Sequence, residues 1–274
     1  MTATPQSRDK VGNPGGYDAV NVYGDEYYQT SNYNSTAVRN PGLMTYYRTG
    51  YREKDLVDYN TRNIKTSAAF HYKITDKVEA ILSSTFGTGT TVYQGDNRYS
   101  LKDILFFQNR LELRQQDKFF IRAYATNEDA GKSYDAFFTA LLLQQAAKPD
   151  LWWSNDYLTY WNNNQLGTKF SALPGYPQAP VLSNYPNLQA YSAAYESYVA
   201  SINPFLMNNY YDTLNYYHAG ARDYANQHVD TIRGYTSYFQ PGTQRFDSIF
   251  ALITSRRSNH GSDTSGSRFF DKSA

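Results

Sequence analysis

Only a few residues in this chain have the types and spacing that catalysis would need. Thr126–Ser133 reads TNEDAGKS and ends like a phosphate-binding loop, but Thr126 stands where the first glycine must lie. Without that glycine the backbone cannot form the tight cradle that holds phosphate. The four histidines are scattered, and neither an HExxH nor a GxSxG motif occurs. The sequence therefore predicts no catalytic residues, no cofactor and no enzyme activity.

A second candidate for chemistry is an acidic stretch that offers oxygen ligands for Ca²⁺. It contains Asn127, Glu128, Asp129 and Asp135, whose spacing does not match the EF-hand pattern. We interpret it as a solvated loop and predict no metal site. Cysteine is absent, so disulfides and thiolate metal sites are excluded.

Composition narrows the class of protein. The chain has 274 residues and a net charge of +1, which gives no electrostatic reason to bind nucleic acid. Aromatic residues make up 17% of the chain, yet its mean hydropathy is −0.68. No run approaches the ~18 apolar residues of a membrane-spanning helix. The opening MTATPQSRDKVGNPGG has no apolar centre, so no signal peptide is predicted.

Strict alternation over 64–73, 78–86, 104–114 and 119–126 predicts four antiparallel strands. Short turns at 74–77 and 115–118 should lie at one end, and 85–103 should form a long loop at the other. One face is predicted to be apolar, with Leu105, Phe107, Leu111, Leu113, Ile121 and Ala123. The other is predicted to be charged, with Arg110, Glu112, Arg114 and Arg122.

This pattern fits two kinds of sheet. Strands of an outer-membrane barrel alternate in this way, with short periplasmic turns and long external loops. Aromatic residues near the strand ends would then form a girdle at the membrane interface, namely Tyr72, Phe86, Phe107, Phe119 and Phe120. A soluble antiparallel sheet with one face in water alternates equally well. The unequal lengths of the connections favour the membrane interpretation.

After Thr126 the period becomes helical. Ser133 and Asp135 are predicted to cap a helix over AFFTALLLQQAAK, and DLWWSNDYLTYWNNN predicts a second. A loop is predicted over 167–187. Two more helices are expected, one from Leu188 to Ile202 and one that begins at Asn203-Pro204.

Several long segments resemble TonB-dependent outer-membrane receptors. They are GYDAVNVYGDE, RTGYREKDLVDYNTRNIKTSAAFHYKI, FGTGTTVYQGDNRYSLKDILFFQNRLELR, FFIRAYATNEDAGKSYDAFFTALLLQ and PGTQRFDSIFALITS. The likeness is to the glycan-importing branch whose N-terminal domain is carboxypeptidase-regulatory-like, and it covers roughly residues 15 to 274. It implies a barrel of about 22 strands with an N-terminal plug, powered through the TonB complex.

The chain departs from that family pattern, because we find no plug, no TonB-contacting segment and strands for only part of a barrel. We therefore expect a fragment from the start of the barrel. The expected fold is mainly β with a helical insertion: an antiparallel up-and-down meander (a partial transmembrane β-barrel) plus a large, aromatic-rich, partly helical extracellular loop region. The expected divisions are a lead-in at 1–62 near the junction of plug and barrel, barrel strands at 63–126, the loop region at 127–266 and the next strand from 267 to 274.

The expected function is to bind an extracellular ligand and import it across the outer membrane. Candidate ligand contacts are Tyr93, Asp96, Arg98, Trp152 and Trp153. Expected partners are outer-membrane lipid, the rest of the barrel and plug, the TonB complex through the missing N-terminal part, and a surface lipoprotein. The alternative is a surface-exposed module that binds glycan or protein without transport. A secreted hydrolase is a third hypothesis, which glycan turnover would support.

Overall fold

The computed structural model describes residues 15, 21–30, 34–95, 97–257 and 266–269. The chain forms two compact units of a mixed α/β protein. We call Met1–Arg52 with Gln144–Phe239 the helical unit, and Glu53–Leu143 with Gln240–Ala274 the sheet unit.

In chain order, the strands of the described residues are β1 Val22–Tyr23, β2 Tyr28–Thr30, β3 Thr45–Tyr47, β4 Tyr51–Arg52, β5 Arg62–Lys73, β6 Val78–Gln94, β7 Arg98–Gln115, β8 Phe119–Asp129 and β9 Tyr134–Asp135. The helices are α1 Asn34–Arg39, α2 Glu53–Leu56, α3 Ala136–Ala147, α4 Asp150–Asn163, α5 Leu166–Ser171, α6 Leu188–Asn209, α7 Tyr211–Gln227 and α8 Gln244–Ser255. A short 3₁₀ turn covers Leu182–Asn184.

The sheet unit contains the predicted antiparallel meander. Its strands lie in the order β5-β6-β7-β8, and β9 pairs with the N-terminal end of β7. Val78 at the start of β6 pairs with Gln115 at the end of β7. The two short turns therefore lie at the same end of the sheet, as predicted. Within the described residues β5 and β8 are open edges, and the sheet is not closed into a barrel.

The predicted long loop over 85–103 is wrong. The pairing of β6 with β7 continues through this segment as far as Gln94 opposite Arg98. The register shifts between Gly89 and Thr91, where a β-bulge interrupts the regular pairing. Threonine, valine and tyrosine favour extended backbone, and here they outweigh the glycines that suggested a loop. Only 95–97 connects the two strands, and Asp96 lies outside the described residues.

Helix α3 confirms the predicted helix after the sheet, and only one of its two predicted caps is present. The Asp135 carboxylate accepts a hydrogen bond from the Phe138 backbone N–H, as an N-cap does. Ser133 is not a cap, because its hydroxyl accepts from the Lys102 backbone N–H and donates to the Ala130 carbonyl. Its hydroxyl instead holds the loop after β8 against β7.

The helical unit has an aromatic core built around α4, α6 and α7, and α4 confirms the second predicted helix. Tyr46 of β3 stacks on Tyr157 of α4 at 4.1 Å between ring centroids, and Trp153 lies 5.4 Å from Tyr157. Residues before β5 therefore supply part of this core, whereas the sequence suggested only an irregular lead-in over 1–62.

The predicted helix start at Asn203-Pro204 is wrong. Helix α6 continues through Pro204 to Asn209, and the helix ends at Tyr210 instead. The Asn203 side chain accepts from the Gly42 backbone N–H, so a tertiary contact uses the group that was expected to cap a new helix.

Two other predicted segments differ in part from the structure. The predicted loop over 167–187 contains most of α5 and the 3₁₀ turn. Of the expected next strand at 267–274, residues 270–274 lie outside the described residues, and Arg268 makes isolated bridges to Tyr134 and Arg257. Helix α8, which starts with a Thr243 N-cap that accepts from the Phe246 N–H, was not predicted.

Candidate functional site

The apolar face of the meander is exposed. The register aligns Phe70, Leu82, Leu111 and Ala123 in one row across all four strands. The neighbouring row aligns side chains of the same kind, Tyr72, Ala80, Leu113 and Ile121. Phe70 is 66% exposed and Ile121 is 67% exposed. Soluble proteins rarely leave a contiguous apolar surface of this kind uncovered.

The opposite face carries two charged clusters. The Glu79 carboxylate accepts from His71 Nδ1 at 2.8 Å and from Arg114 Nε at 2.9 Å.

The predicted face assignments are confirmed as to which residues share a face. Because Phe119 and Phe120 point to opposite faces, Phe120 lies on the charged face, where Arg122 covers its ring at 5.2 Å. These two residues therefore do not lie on one girdle.

Exposure is inverted between two neighbouring residues of β7. The Glu112 carboxylate accepts from Arg122 Nε at 2.6 Å and lies 3.8 Å from Arg110, and its side chain is 3% exposed. Leu111, on the other face, is 57% exposed. A water-soluble sheet buries the leucine and exposes the carboxylate. At this point of β7 the apolar side chain is exposed, and the carboxylate lies buried beneath its arginine partners.

Two of the predicted ligand contacts lie together at the far end of the β6–β7 hairpin. Tyr93 stacks on Tyr99 with 6.2 Å between ring centroids. Arg98 Nη2 donates to Glu53 Oε1 at 2.8 Å, and the Tyr59 hydroxyl donates to the same oxygen. The guanidinium is thus held in place, while the Tyr93 ring is largely exposed. Asp96, the third candidate on this hairpin, lies outside the described residues.

The two tryptophan candidates differ from each other. Trp153 is 2% exposed, lies in the core of the helical unit and donates from Nε1 to Asn226 at 2.8 Å. Trp152 is half-buried, and the Arg233 guanidinium lies 4.2 Å from its ring centroid. Only Trp152 has a surface that a ligand could reach in this structure.

A row of tyrosines on α6 was not selected from the sequence as a site. Tyr191, Tyr195 and Tyr198 follow one another with centroids 6.1 and 5.8 Å apart, and Tyr185 lies 6.0 Å from Tyr191. Their spacing of three and four residues predicted only the helix that carries them. The structure leaves them half-buried, so the row presents partly accessible rings.

The candidates for catalysis and metal binding have structural roles. Thr126–Asp129 lies in β8, which excludes a phosphate-binding loop there. Asp135 accepts from Asn97 Nδ2 at 2.8 Å in addition to capping α3, and burial raises the pKa of its carboxyl group. Within the described ranges, no group of three or more histidine, aspartate or glutamate side chains is arranged to hold a metal ion.

Among the described residues no helix has the length and apolarity to cross a membrane. Comparisons of the chain with protein-family models, with curated proteins and with solved structures found no match.

Proposed function

We propose that the chain is part of a TonB-dependent outer-membrane receptor, which binds an extracellular ligand and imports it. The observation that carries the proposal is the inverted exposure of Leu111 and Glu112 in β7. The resemblance of several segments to that family supports it independently.

The energetics of the two faces favour a lipid environment. Apolar surface left in water costs roughly 25 cal/mol per Å² relative to burial, and rows of exposed phenylalanine and leucine side chains carry much such surface. Lipid removes that cost. Arginine on the lipid face near the bilayer midplane would cost about 2–4 kcal/mol. Arg110, Arg114 and Arg122 all lie on the other face.

The edges of the sheet support the same proposal. The outer strands β5 and β8 have no further strand partner among the described residues. Unpaired backbone groups in hydrocarbon cost several kcal/mol each, so membrane sheets close into barrels. In the proposed parent protein, additional strands pair with both edges and complete the wall.

Strand lengths suggest an orientation. β5 has 12 residues and β8 has 11, close to the ~9–11 residues that a tilted strand needs to cross a bilayer. β6 has 17 and β7 has 18, and their excess lies at the end opposite the turns at 74–77 and 115–118. With those two turns in the periplasm, the longer β6–β7 hairpin and Tyr93 project outside the cell. The TonB complex and a surface lipoprotein are then the proposed partners of the parent protein.

A labelling experiment tests the membrane face. The chain has no cysteine, so single cysteines can be introduced at Leu111 and at Gln108, which lie on opposite faces of β7. Each purified variant carries an environment-sensitive fluorophore in detergent micelles that contain a doxyl fatty acid. We expect strong doxyl quenching at position 111 and stronger iodide quenching at 108. Equal doxyl quenching at both positions would contradict the proposal.

The tyrosine row favours a second candidate function, a surface-exposed module that binds glycan or protein without transport. Aromatic rings stack on flat ligands, and Tyr191 and Tyr195 are partly accessible. Glycan-array binding by the purified chain, lost in Tyr191→Ala/Tyr195→Ala, would support this candidate if position 111 shows no doxyl quenching.

A further inference from the structure

Two neighbouring side-chain positions on the charged face of β6 are empty. Glycines at 87 and 89 occupy these positions, which lie on one face because alternate residues of a strand point the same way. Gly87 pairs with Lys65 of β5 on one side and with Phe106 of β7 on the other. The flanking residues line an open groove of about 540 Å³, which we call the Gly87 groove.

The backbone does not require a glycine at position 87. Its φ angle is not among the positive ones, and a Cβ built there would lie 3.9 Å from Phe106 Cβ and 4.0 Å from Lys65 Cγ, both ordinary contacts. A glycine inside a strand weakens it and often marks a place where another molecule approaches the backbone. At Gly87 the missing side chain opens space that the fold itself does not fill.

The walls of the groove define the ligand that would fit. They are mostly apolar, and Phe106, which is 39% exposed, and Ile104 form one side. Lys65 stands on the other side, and among the residues that the structure describes it has no ion-pair partner. Arg62, also at this wall, lies 3.9 Å from Asp103. An apolar slot beside one uncompensated ammonium group matches a ring that carries an acid.

We propose that the Gly87 groove binds a small aromatic carboxylate. Its ring lies over the backbone of Gly87 against Phe106, and its carboxylate pairs with the Lys65 ammonium. An acidic sugar fits less well, because the surface that the groove exposes is mainly apolar although several threonines border it. The volume lies within the usual range for small-molecule sites, about 300–1,000 Å³. The inference deepens the proposed function by naming a substrate class, and it rests on that function only for its transport role.

The test is ligand-detected NMR and calorimetry on the purified full chain in detergent. The probes are phenylacetate, its neutral analogue phenylacetamide, and glucuronate. We expect phenylacetate to bind about three- to fivefold more tightly than phenylacetamide, as an exposed ion pair allows. Equal affinity of these two, tighter binding of glucuronate, or no binding of phenylacetate would overturn the proposal.

Two pairs of variants locate the site. Lys65→Gln should remove the preference for phenylacetate and keep the affinity for phenylacetamide, whereas Lys73→Gln, farther along the same face of β5, should change neither. Gly87→Leu should abolish binding of both probes, and Ala68→Leu adds bulk to the opposite face as its control. If Gly87→Leu does not fold, the lysine pair still decides. Unchanged phenylacetate binding in Lys65→Gln would overturn the site.

The outcome is independent of the membrane test. Absence of phenylacetate binding together with doxyl quenching at position 111 would reject the groove and leave the receptor proposal standing. Binding without such quenching would keep the groove and reject the receptor.

Discussion

His218 Nε2 lies 2.9 Å from the carbonyl oxygen of Gly42, a residue 176 positions earlier in the chain. A carbonyl only accepts, so Nε2 carries the proton and donates. His218 Nδ1 lies 2.6 Å from the Tyr157 hydroxyl and accepts a hydrogen bond from it. The neutral imidazole therefore satisfies both of its nitrogens, and burial lowers the pKa of His218 to about 3.

This buried histidine predicts that acid destabilises the helical unit. The unfolded chain binds a proton near pH 6.5, and the folded chain does so only near pH 3. Between these values the unfolded state binds more protons, so the free energy of unfolding falls as pH falls, by at most about 1.4 kcal/mol per pH unit. All three tryptophans lie in this unit, so their fluorescence during urea unfolding at pH 7 and pH 5 measures the effect. His218→Gln should reduce the pH dependence, and an unchanged slope would contradict the assignment.

A second prediction concerns Lys148, which is buried in the helical unit. Its ammonium group donates to the Asp156 carboxylate and to the carbonyl oxygens of Ala225 and His228, at 3.0 and 2.9 Å. Removal of one partner from a buried ion pair typically costs about 3–5 kcal/mol, because the other charge stays buried. Asp156→Ala should therefore lower the urea midpoint strongly. Asp230→Ala, which breaks the exposed pair with Arg233, is the control and should have a much smaller effect. Similar losses in both variants would show that Lys148 is not held as described.

The third prediction concerns assembly of the parent barrel. Leu111→Arg places a charge on the proposed lipid face and should reduce the amount of assembled protein in the outer membrane, at a cost of about 2–4 kcal/mol near the midplane. Gln108→Arg is the matched control on the other face of β7. Glu112 is unsuitable as a control, since its carboxylate holds Arg122. Heat-modifiable gel mobility measures assembly, and equal tolerance of both arginines would refute the orientation.

The fourth prediction is that residues 1–274 alone neither transport ligand nor insert stably in a membrane. The meander leaves the edges of β5 and β8 open, and single-chain barrels of known structure begin at about eight strands. The chain expressed alone should show no heat-modifiable band and no uptake. Barrel-like mobility with uptake would instead indicate that several copies close a pore together.

A fifth prediction follows from Pro204 inside α6. Proline has no N–H to donate to the helix, and its ring crowds the preceding turn. Pro204→Ala should therefore raise the free energy of unfolding, by about 1 kcal/mol or more after the greater flexibility of the unfolded chain is counted. Ser201→Ala, on the preceding turn, should change it little. A lower urea midpoint in Pro204→Ala would mean that the proline fits this helix without strain.

The sequence predicted the sheet well because its period is local. Each residue of β5 to β8 reports its own face, so alternation alone places Leu82 and Leu111 on the same apolar face, where the register aligns them in one row. The error over 85–103 arose because Gly87 and Gly89 are turn-forming residues that here lie inside strands. The wrong helix start at Asn203 has a different cause. The Asn203 side chain accepts a hydrogen bond from the Gly42 N–H, and no local sequence pattern connects these two residues.

The candidate site was less predictable, because adjacent residues of a helix point in different directions. Trp152 and Trp153 look equivalent as sequence, but one faces the core and the other lies beneath Arg233. Only the packing of α4 distinguishes them. The Gly87 groove is likewise visible only when β5 and β7 are placed on either side of the glycine.

The two units have very different contact separations, which bears on the order in which they form during synthesis. In the meander each of β5 to β8 pairs with its neighbour in sequence, so its hairpins can close within microseconds of emerging from the ribosome. In the helical unit Arg48 contacts Asp150, 102 residues away, and Gly42 can form its hydrogen bond only after His218 has been synthesised. At about 5–20 residues added per second, several seconds separate the two events. The finished hairpins display their phenylalanines and leucines from the start of that interval, and these side chains are still exposed in the complete chain. We infer that the chain stays prone to aggregation until its apolar face is covered.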